Sequence, residues 1–291
     1  MSLLILNFYS YGFYYLRYGF MLPPHLAVDF RKAEEIITDF IKVKVREAGA
    51  SGVVIGLSGG GDSSVCAALS VRALGASSIK VVHMPEVESN PISTLVANKV
   101  ANNLGLELEI INITDIVTTF LKSLGMSYES SDKIVRGNIK ARSRMIILYT
   151  IANKENMLVV GTSDRSEFLI GFFTKWGDGA GDLHPIIGLY KTQVREFAKY
   201  LNLPTEVISR PPSPDLWPGH TAEGELGLTY DEIDEVLYRV FDEGRQPQEI
   251  PKISGIPEEV VKKVMKLYER TKHKRVLVEG PFYSFKDLTR K

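Results

Sequence analysis

Cysteine is almost absent from this 291-residue chain. Cys66 is the only one, which excludes an intramolecular disulfide, a paired-thiol redox site and a cysteine-based zinc site. Such usage fits a reducing cytosol, and a cytoplasmic location is expected. An excess of charge of one sign is lacking too. Lys plus Arg and Asp plus Glu number 35 each, so no global field draws the chain to nucleic acid or to an anionic membrane, and neither is expected as a partner. A phosphate-rich ligand must therefore be met by a local patch. No uninterrupted apolar run reaches the roughly 20 residues of a membrane span. The nearest approach is the leader 1–20, MSLLILNFYSYGFYYLRYGF, which Asn7, Arg17 and several tyrosines interrupt. It has neither the basic start nor the small-residue cleavage site of a secretory signal. We expect the natural start at Met21, with 1–20 an upstream extension and 21–291 a single domain. The alternative is a terminal arm that packs its aromatics on the body.

What is present is a strand–helix rhythm. From Asp29 to Glu47 apolar residues (Phe30, Ala33, Ile36, Ile37, Phe40, Ile41, Val45) fall at helical spacing. SGVVIGL (51–57) reads as a strand, Val65 to Leu74 as a helix ended by Gly75, and IKVVHM (79–84) as the next strand. Leu95 to Leu104 and Ile116 to Leu124 read as helices on either side of a third strand, LELEIINI (106–113). A long helix over 133–153 follows, with Ile134, Ile139, Met145, Ile146, Leu148 and Tyr149 expected to be buried, and then a fourth strand opening at Met157. Short links between alternating strands and helices predict βαβ units: an α/β fold with a doubly wound, mostly parallel sheet and helices on both faces. Such sheets place ligands at the carboxyl ends of their strands. Residues 171–183, rich in glycine, and 210–227, rich in Pro and Gly, read as long loops that are mobile or close over a ligand. Helices are expected over 190–201, 230–243 and 258–272, before a basic tail.

The strongest signal is LSGGGDSS at 57–64, between the first strand and its helix. Gly59, Gly60 and Gly61 let the backbone approach a ligand closely. Ser58, Ser63 and Ser64 add hydroxyls, and the helix beginning near Asp62 points free N–H groups at the same spot, which makes an anion cradle. The GK[ST] ending of a Walker loop is missing, and the spacing is not that of a dinucleotide fingerprint. Asp62 is the residue that needs explaining. A carboxylate beside phosphates repels them unless a divalent cation intervenes, and Mg²⁺ favours such a mixture of ligands. The plain alternative is a tight strand-to-helix turn with Asp62 or a serine as cap.

SGGGDSS resembles the pyrophosphatase loop of the adenine-nucleotide α-hydrolase-like ATP pyrophosphatases, with Gly61 where those proteins usually carry a large apolar residue. GNIKARSRM (137–145), VGTSDRSE (160–167), GFFTKWGDGAGDLHPI (171–186), LYKTQVRE (189–196), RPPSPDL (210–216) and KHKR (272–275) are similar to the ammonia-dependent NAD synthetase family in particular, in the family's order. The resemblance implies an ATP- and Mg²⁺-dependent ligase, a homodimer, that adenylylates deamido-NAD and then amidates it with ammonia.

By the same resemblance, Gly56, Leu57, Ser58, Gly59, Gly60, Gly61, Asp62 and Ser63, with Thr162, Lys191 and Ser213, would contact ATP. Asp62 and Glu167 would hold the metal. Arg142, Lys175 and Asp182 would contact deamido-NAD, joined by His273 and Lys274 from the other subunit, and Asp178 would steer ammonium or accept its proton. Taken singly these residues have ordinary explanations: Arg142 and Arg144 as the wet face of a helix, Glu167 as an exposed glutamate, KHKR as a solvated tail. Lys191 is the exception, because a cation in the first turn of a helix gains nothing from the dipole. Cys66, in the helix after the loop, reads as a small core residue rather than a glutaminase nucleophile. Two other readings stay open: another pyrophosphatase-loop enzyme that modifies tRNA, and a nucleotide-binding regulatory module without catalysis.

Overall fold

The computed structural model describes residues 22–276; the leader and the expected start at Met21 lie outside the described residues. Four β-branched runs form the sheet: β1 (Gly52–Gly56), β2 (Ile79–His83), β3 (Leu108–Ile110) and β4 (Met157–Val160). Their order is β3-β2-β1-β4 and every pairing is parallel, with Val53 beside both Ile79 and Leu158. The chain winds outward from β1 through β2 to β3, then returns to place β4 on the other side of β1. The winding therefore reverses between β1 and β4, which opens a crevice at their carboxyl ends. A parallel bridge from Val160 to Leu183 extends the sheet by one further step beyond β4.

Side-chain alternation along the strands divides the core. Val53, Ile55, Val81 and Val160 face α1 (Phe30–Glu47), α2 (Gly61–Leu74) and α3 (Pro91–Asn103) on one side. Val54, Val82 and Val159 face α4 (Thr114–Ser123) and α5 (Lys133–Glu155) on the other. Strands covered on both faces read as continuous apolar runs, and β1 and β4 do. Beyond the sheet come α6 (Arg165–Ile170), α7 (Lys191–Tyr200), α8 (Thr205–Ser209), α9 (Ala222–Leu226), α10 (Tyr230–Phe241), α11 (Ile250–Ser254) and α12 (Glu258–Arg270). A third apolar cluster, with Tyr230, Ile233, Leu237, Ile250, Val261 and Val264, ties α9 through α12 to Ile170 and Tyr190, while α7 and α8 pack into the first through Val194, Phe197 and Val207.

Several expected boundaries move. α2 begins at Gly61, four residues ahead of the expected Val65, because the glycine-rich loop bends straight into the helix and leaves Asp62 in its first turn. α3 begins at Pro91: the Asn90 side chain accepts from Ile92 N at 3.0 Å, and proline suits the first helical position. The third strand shrinks to three residues, because it lies at an edge of the sheet with only β2 beside it. Ile134 and Ile146, expected to be buried, are 54% and 59% exposed. They lie off the stripe through Ile139, Leu148 and Ile151 by which α5 meets the sheet. Ile36 and Phe40 of α1 are exposed as well. Among the described residues no helix is long and apolar enough to cross a membrane.

Candidate functional site

The crevice between β1 and β4 is the mouth of a large cleft. Its walls include Gly56, Leu57, Ser58, Gly60, Gly61 and Asp62 from the loop after β1, and Thr162 and Glu167 from the segment after β4. Asp178, Lys191 and Ser213 come from later segments. Sequence positions up to 157 apart thus meet because the winding reverses there.

The β1 loop is a cradle closed by its own hydroxyls. Ser58 Oγ accepts from Gly60 N at 3.1 Å and lies 3.0 Å from Ser63 Oγ, while Ser64 Oγ donates to Gly60 O at 2.7 Å. The N–H groups of the first turn of α2 have no partners within the helix and face the cleft with the positive end of its dipole. Gly59 does not line the cleft. It has φ +81°, and a Cβ there would come within 2.7 Å of Ser93 O on α3. That backbone conformation and the lack of space both require glycine. Gly61 faces open space, so the family's larger residue would fit where this chain has none. Under the loop, His83 at the end of β2 lies 2.9 Å from Leu57 O through Nδ1 and 2.9 Å from Thr94 Oγ1 through Nε2. Burial holds its pKa below the usual histidine value, so it is a neutral strut.

Opposite the cradle is a cluster of charge. Lys191, at the start of α7 and 3% exposed, has its Nζ 2.8 Å from Asp62 Oδ2, 2.8 Å from Asp164 Oδ2 and 2.8 Å from Glu167 Oε1. The ring of Tyr230 lies 5.2 Å from the same ammonium. Burial works against the charge on Lys191, but Asp164, Asp62 and Glu167 outweigh it and hold the amine protonated well above its ordinary range. Burial also raises the carboxyls of Asp164 and Glu167, only partly offset by Lys191. One ammonium facing three carboxylates leaves two negative charges when all are ionised. Their nearest oxygens lie within 4.8 Å of one another, a donor set that suits a hard divalent cation. Asp164 Oδ2 is fully buried and makes no hydrogen bond: it meets Lys191 in charge and distance only. Its other oxygen caps α6, accepting from Glu167 N at 2.8 Å.

A second buried carboxylate supports this cluster from behind. Asp234 on α10 accepts from Ser166 Oγ at 2.5 Å and from Thr192 N at 2.8 Å, and Ser166 Oγ accepts from Lys191 N at 2.9 Å. It thereby fixes both the helix that carries Glu167 and the helix that begins at Lys191. Burial pushes the Asp234 carboxyl up to about 7, against the pull of those hydrogen bonds.

The other expected residues divide. Ser213 reaches the cleft, but its hydroxyl is engaged locally, donating to His220 O and accepting from Asp215 N at 3.0 Å. Arg142, Lys175, Asp182, His273 and Lys274 are not among the cleft walls. Four of them form one group. Arg142 donates to Lys175 O at 3.2 Å, Lys175 Nζ donates to His273 O at 2.6 Å, and Lys274 Nζ donates to Gly171 O at 2.8 Å and Phe173 O at 2.7 Å. The tail therefore rests on its own chain's loop at 171–175, where the sequence reading looked to a neighbouring subunit. Asp182 stands apart, accepting from Val159 N at 2.8 Å at the rim of β4. Of the α5 pair, Arg142 is exposed while Arg144 turns to the cleft. Gly171 and Gly179 of the glycine-rich loop abut Thr271 and Phe173 at distances no Cβ could tolerate, so close packing accounts for glycine at both positions. Cys66 is buried, and burial raises its thiol well above the ordinary value, which leaves no nucleophile there.

Sequence reasoning missed Asp164, Asp234 and His83. Asp164 sits inside the quoted VGTSDRSE and was visible as a polar residue one turn before Glu167, but nothing local distinguishes a cap from a member of a charged cage.

Residues 34–278 match the NAD synthase family. The chain is 46% identical over 257 residues to the NH(3)-dependent NAD(+) synthetase of Hyperthermus butylicus, covering 88% of this chain and 92% of that protein. Among solved structures it is similar to NMN synthetase from Francisella tularensis, with TM-score 0.77 and 31% identity over 88% of this chain and all of that one. The NH3-dependent NAD synthetase from Campylobacter jejuni, in complex with nitrate, gives TM-score 0.73 and 31% identity with the same coverage.

Proposed function

Because the chain belongs to the NAD synthase family, we propose that it is the ligase that amidates the nicotinate carboxylate of deamido-NAD with ammonia, using ATP and releasing AMP and pyrophosphate. The observation that carries this reading is the cleft itself. An anion cradle, a three-carboxylate cluster and Lys191 converge at the switch point of the sheet, on residues widely separated in sequence.

A carboxylate is a poor acyl electrophile and first needs a good leaving group. The nicotinate carboxylate attacks the α-phosphorus of ATP, forming an acyl-adenylate as pyrophosphate departs. The loop Gly56 to Ser63 holds the phosphates through first-turn amides and serine hydroxyls, with Gly59 shaping the turn from behind, and Thr162 and Ser213 border the nucleotide. Asp62 and Glu167 would hold Mg²⁺, which supplies positive charge to the phosphate oxygens. Lys191 supplies charge to the leaving pyrophosphate. Ammonia then attacks the acyl carbon and AMP leaves. Asp178 takes a proton from ammonium, and the segments 171–183 and 210–227 exclude the water that would hydrolyse the adenylate; that Asp178 lines the cleft supports this role. Arg142, Lys175 and Asp182 contact deamido-NAD.

The working unit in this proposal is a cytoplasmic homodimer. α4 and its C-cap leave Ile116, Phe120 and Leu124 exposed at four-residue spacing, and α5, packed beside it, leaves Ile134 and Ile146 exposed. An apolar stripe of that extent is ordinarily covered by a partner, here a second copy. Sharing of the dinucleotide pocket through the tail at His273 and Lys274 belongs to the same proposal.

The test is an assay of the purified protein with deamido-NAD, ATP, Mg²⁺ and ammonium, read as NAD, AMP and pyrophosphate in equal amounts. Glutamine in place of ammonium should give no NAD. Turnover of nicotinate mononucleotide instead of deamido-NAD would move the substrate to that of the activity for which the Francisella structure is named, and no product from either would end the reading.

A further inference from the structure

Resting on that reading, the geometry points to a cage in which Lys191 and a divalent cation are alternative occupants, with Asp164 as the third carboxylate beside Asp62 and Glu167. In the ligand-free chain the lysine ammonium sits 2.8 Å from one oxygen of each carboxylate. It thus fills the centre that the three oxygens, within 4.8 Å of one another, would otherwise offer to a cation. Two cations cannot share that volume: at such separations an ammonium and a divalent ion repel strongly in a site with little access to water. A metal therefore enters only when Lys191 leaves, and Lys191 is 3% exposed with no comparable set of anions beside it among the described residues.

Nucleotide supplies the missing anions. The cradle at 58–63 opens on the same cleft as Lys191, so phosphates bound there give the ammonium a new partner and free the carboxylates for metal. Metal and nucleotide then bind with positive coupling, each strengthening the other by the same factor. Asp164 is the independent pointer to a ligand. Its Oδ2 is wholly buried, faces the cage and makes no hydrogen bond, which is costly for a carboxylate unless a cation is always present. Lys191 meets that need in the free protein and the metal meets it in the loaded one.

The probe is Mn²⁺ alone, titrated into the nucleotide-free full chain and read by electron paramagnetic resonance and calorimetry. Wild type should bind it weakly. Lys191→Met, which keeps most of the side-chain length and removes the charge, should bind one Mn²⁺ at least tenfold more tightly, and Asp164→Asn in that background should cancel the gain. Equal affinity in wild type and Lys191→Met would overturn the proposal, as would full retention of the gain without Asp164. If Lys191→Met does not fold, wild type carries the test. Mn²⁺ alone should leave its Tm unchanged, while Mn²⁺ with a non-hydrolysable ATP analogue should raise Tm beyond the analogue alone; an equal rise with Mn²⁺ alone would refute the shared cage. None of these measurements involves deamido-NAD, so their failure is distinct from failure of the NAD synthetase reading.

Discussion

The two segments that flank the crevice are built on different principles. The loop after β1, 57–63, is shaped mostly by its own hydroxyls: Ser58, Gly60 and Ser63 bond one another across two to five residues, Leu57 is tied to β2, and Asp62, its only charge, meets Lys191. The segment after β4, 161–167, is held from a distance. Arg165 N donates to Leu189 O at 2.8 Å, Gly161 N donates to Leu183 O at 2.9 Å, and Ser166 depends on Asp234. Its carboxylates are balanced by Lys191 from another helix. A locally closed loop can lose a side chain and keep its shape, while a segment held by buried charges from elsewhere cannot. The first half of the site should therefore separate chemistry from stability, and the second should couple them.

Asp62→Asn gives the largest effect. NAD formation should fall by about a hundredfold or more, the scale of losing one strong electrostatic contact to the reacting phosphates. Tm should scarcely move, because the residue is partly exposed in the first turn of α2. A large drop in Tm would erase the contrast between the two segments. Asp164→Ala lies on the other side of that contrast. It removes a helix cap and a buried partner of Lys191, and urea unfolding should show a loss of about 1–3 kcal/mol. A neutral result would mean that the second segment is as self-sufficient as the first.

Asp234 sharpens the comparison through pH. Burial raises its carboxyl to about 7 in the folded chain, against about 3.9 unfolded. The folded state thus holds the proton more firmly, so this contribution is fully present below the unfolded value and is lost as pH rises through about 7. Unfolding free energies at pH 5 and pH 8 should differ less in Asp234→Asn than in wild type; an unchanged difference would remove Asp234 from the account. The smallest effect is expected at Gly61. Its Cβ position is open and the residue begins a helix, so Gly61→Ala should raise stability by about 0.4–1 kcal/mol in the same urea experiment.

The same distinction explains what could be read from sequence. The parallel α/β sheet was legible because strands buried on both faces are short runs such as VVIG and KVVH, and the cradle because its glycines and serines are contiguous. The meeting of Asp62 with Glu167 depends on the segments after β1 and β4 coming together where the winding reverses, which no local pattern encodes and only family resemblance supplies. Asp164 and Asp234 were missed for one reason: each is an ordinary polar residue until a segment distant in sequence buries it. The exposure of Ile134 and Ile146 escaped notice because helical spacing identifies apolar stripes without saying whether the sheet or a second chain covers them.

If this cleft activates a nicotinate carboxylate with ATP, labelled pyrophosphate must exchange into ATP in the absence of ammonia. Exchange should require deamido-NAD and Mg²⁺ and disappear in Asp62→Asn. Exchange without deamido-NAD, or none at all in a protein that still makes NAD when ammonium is added, would contradict that activation.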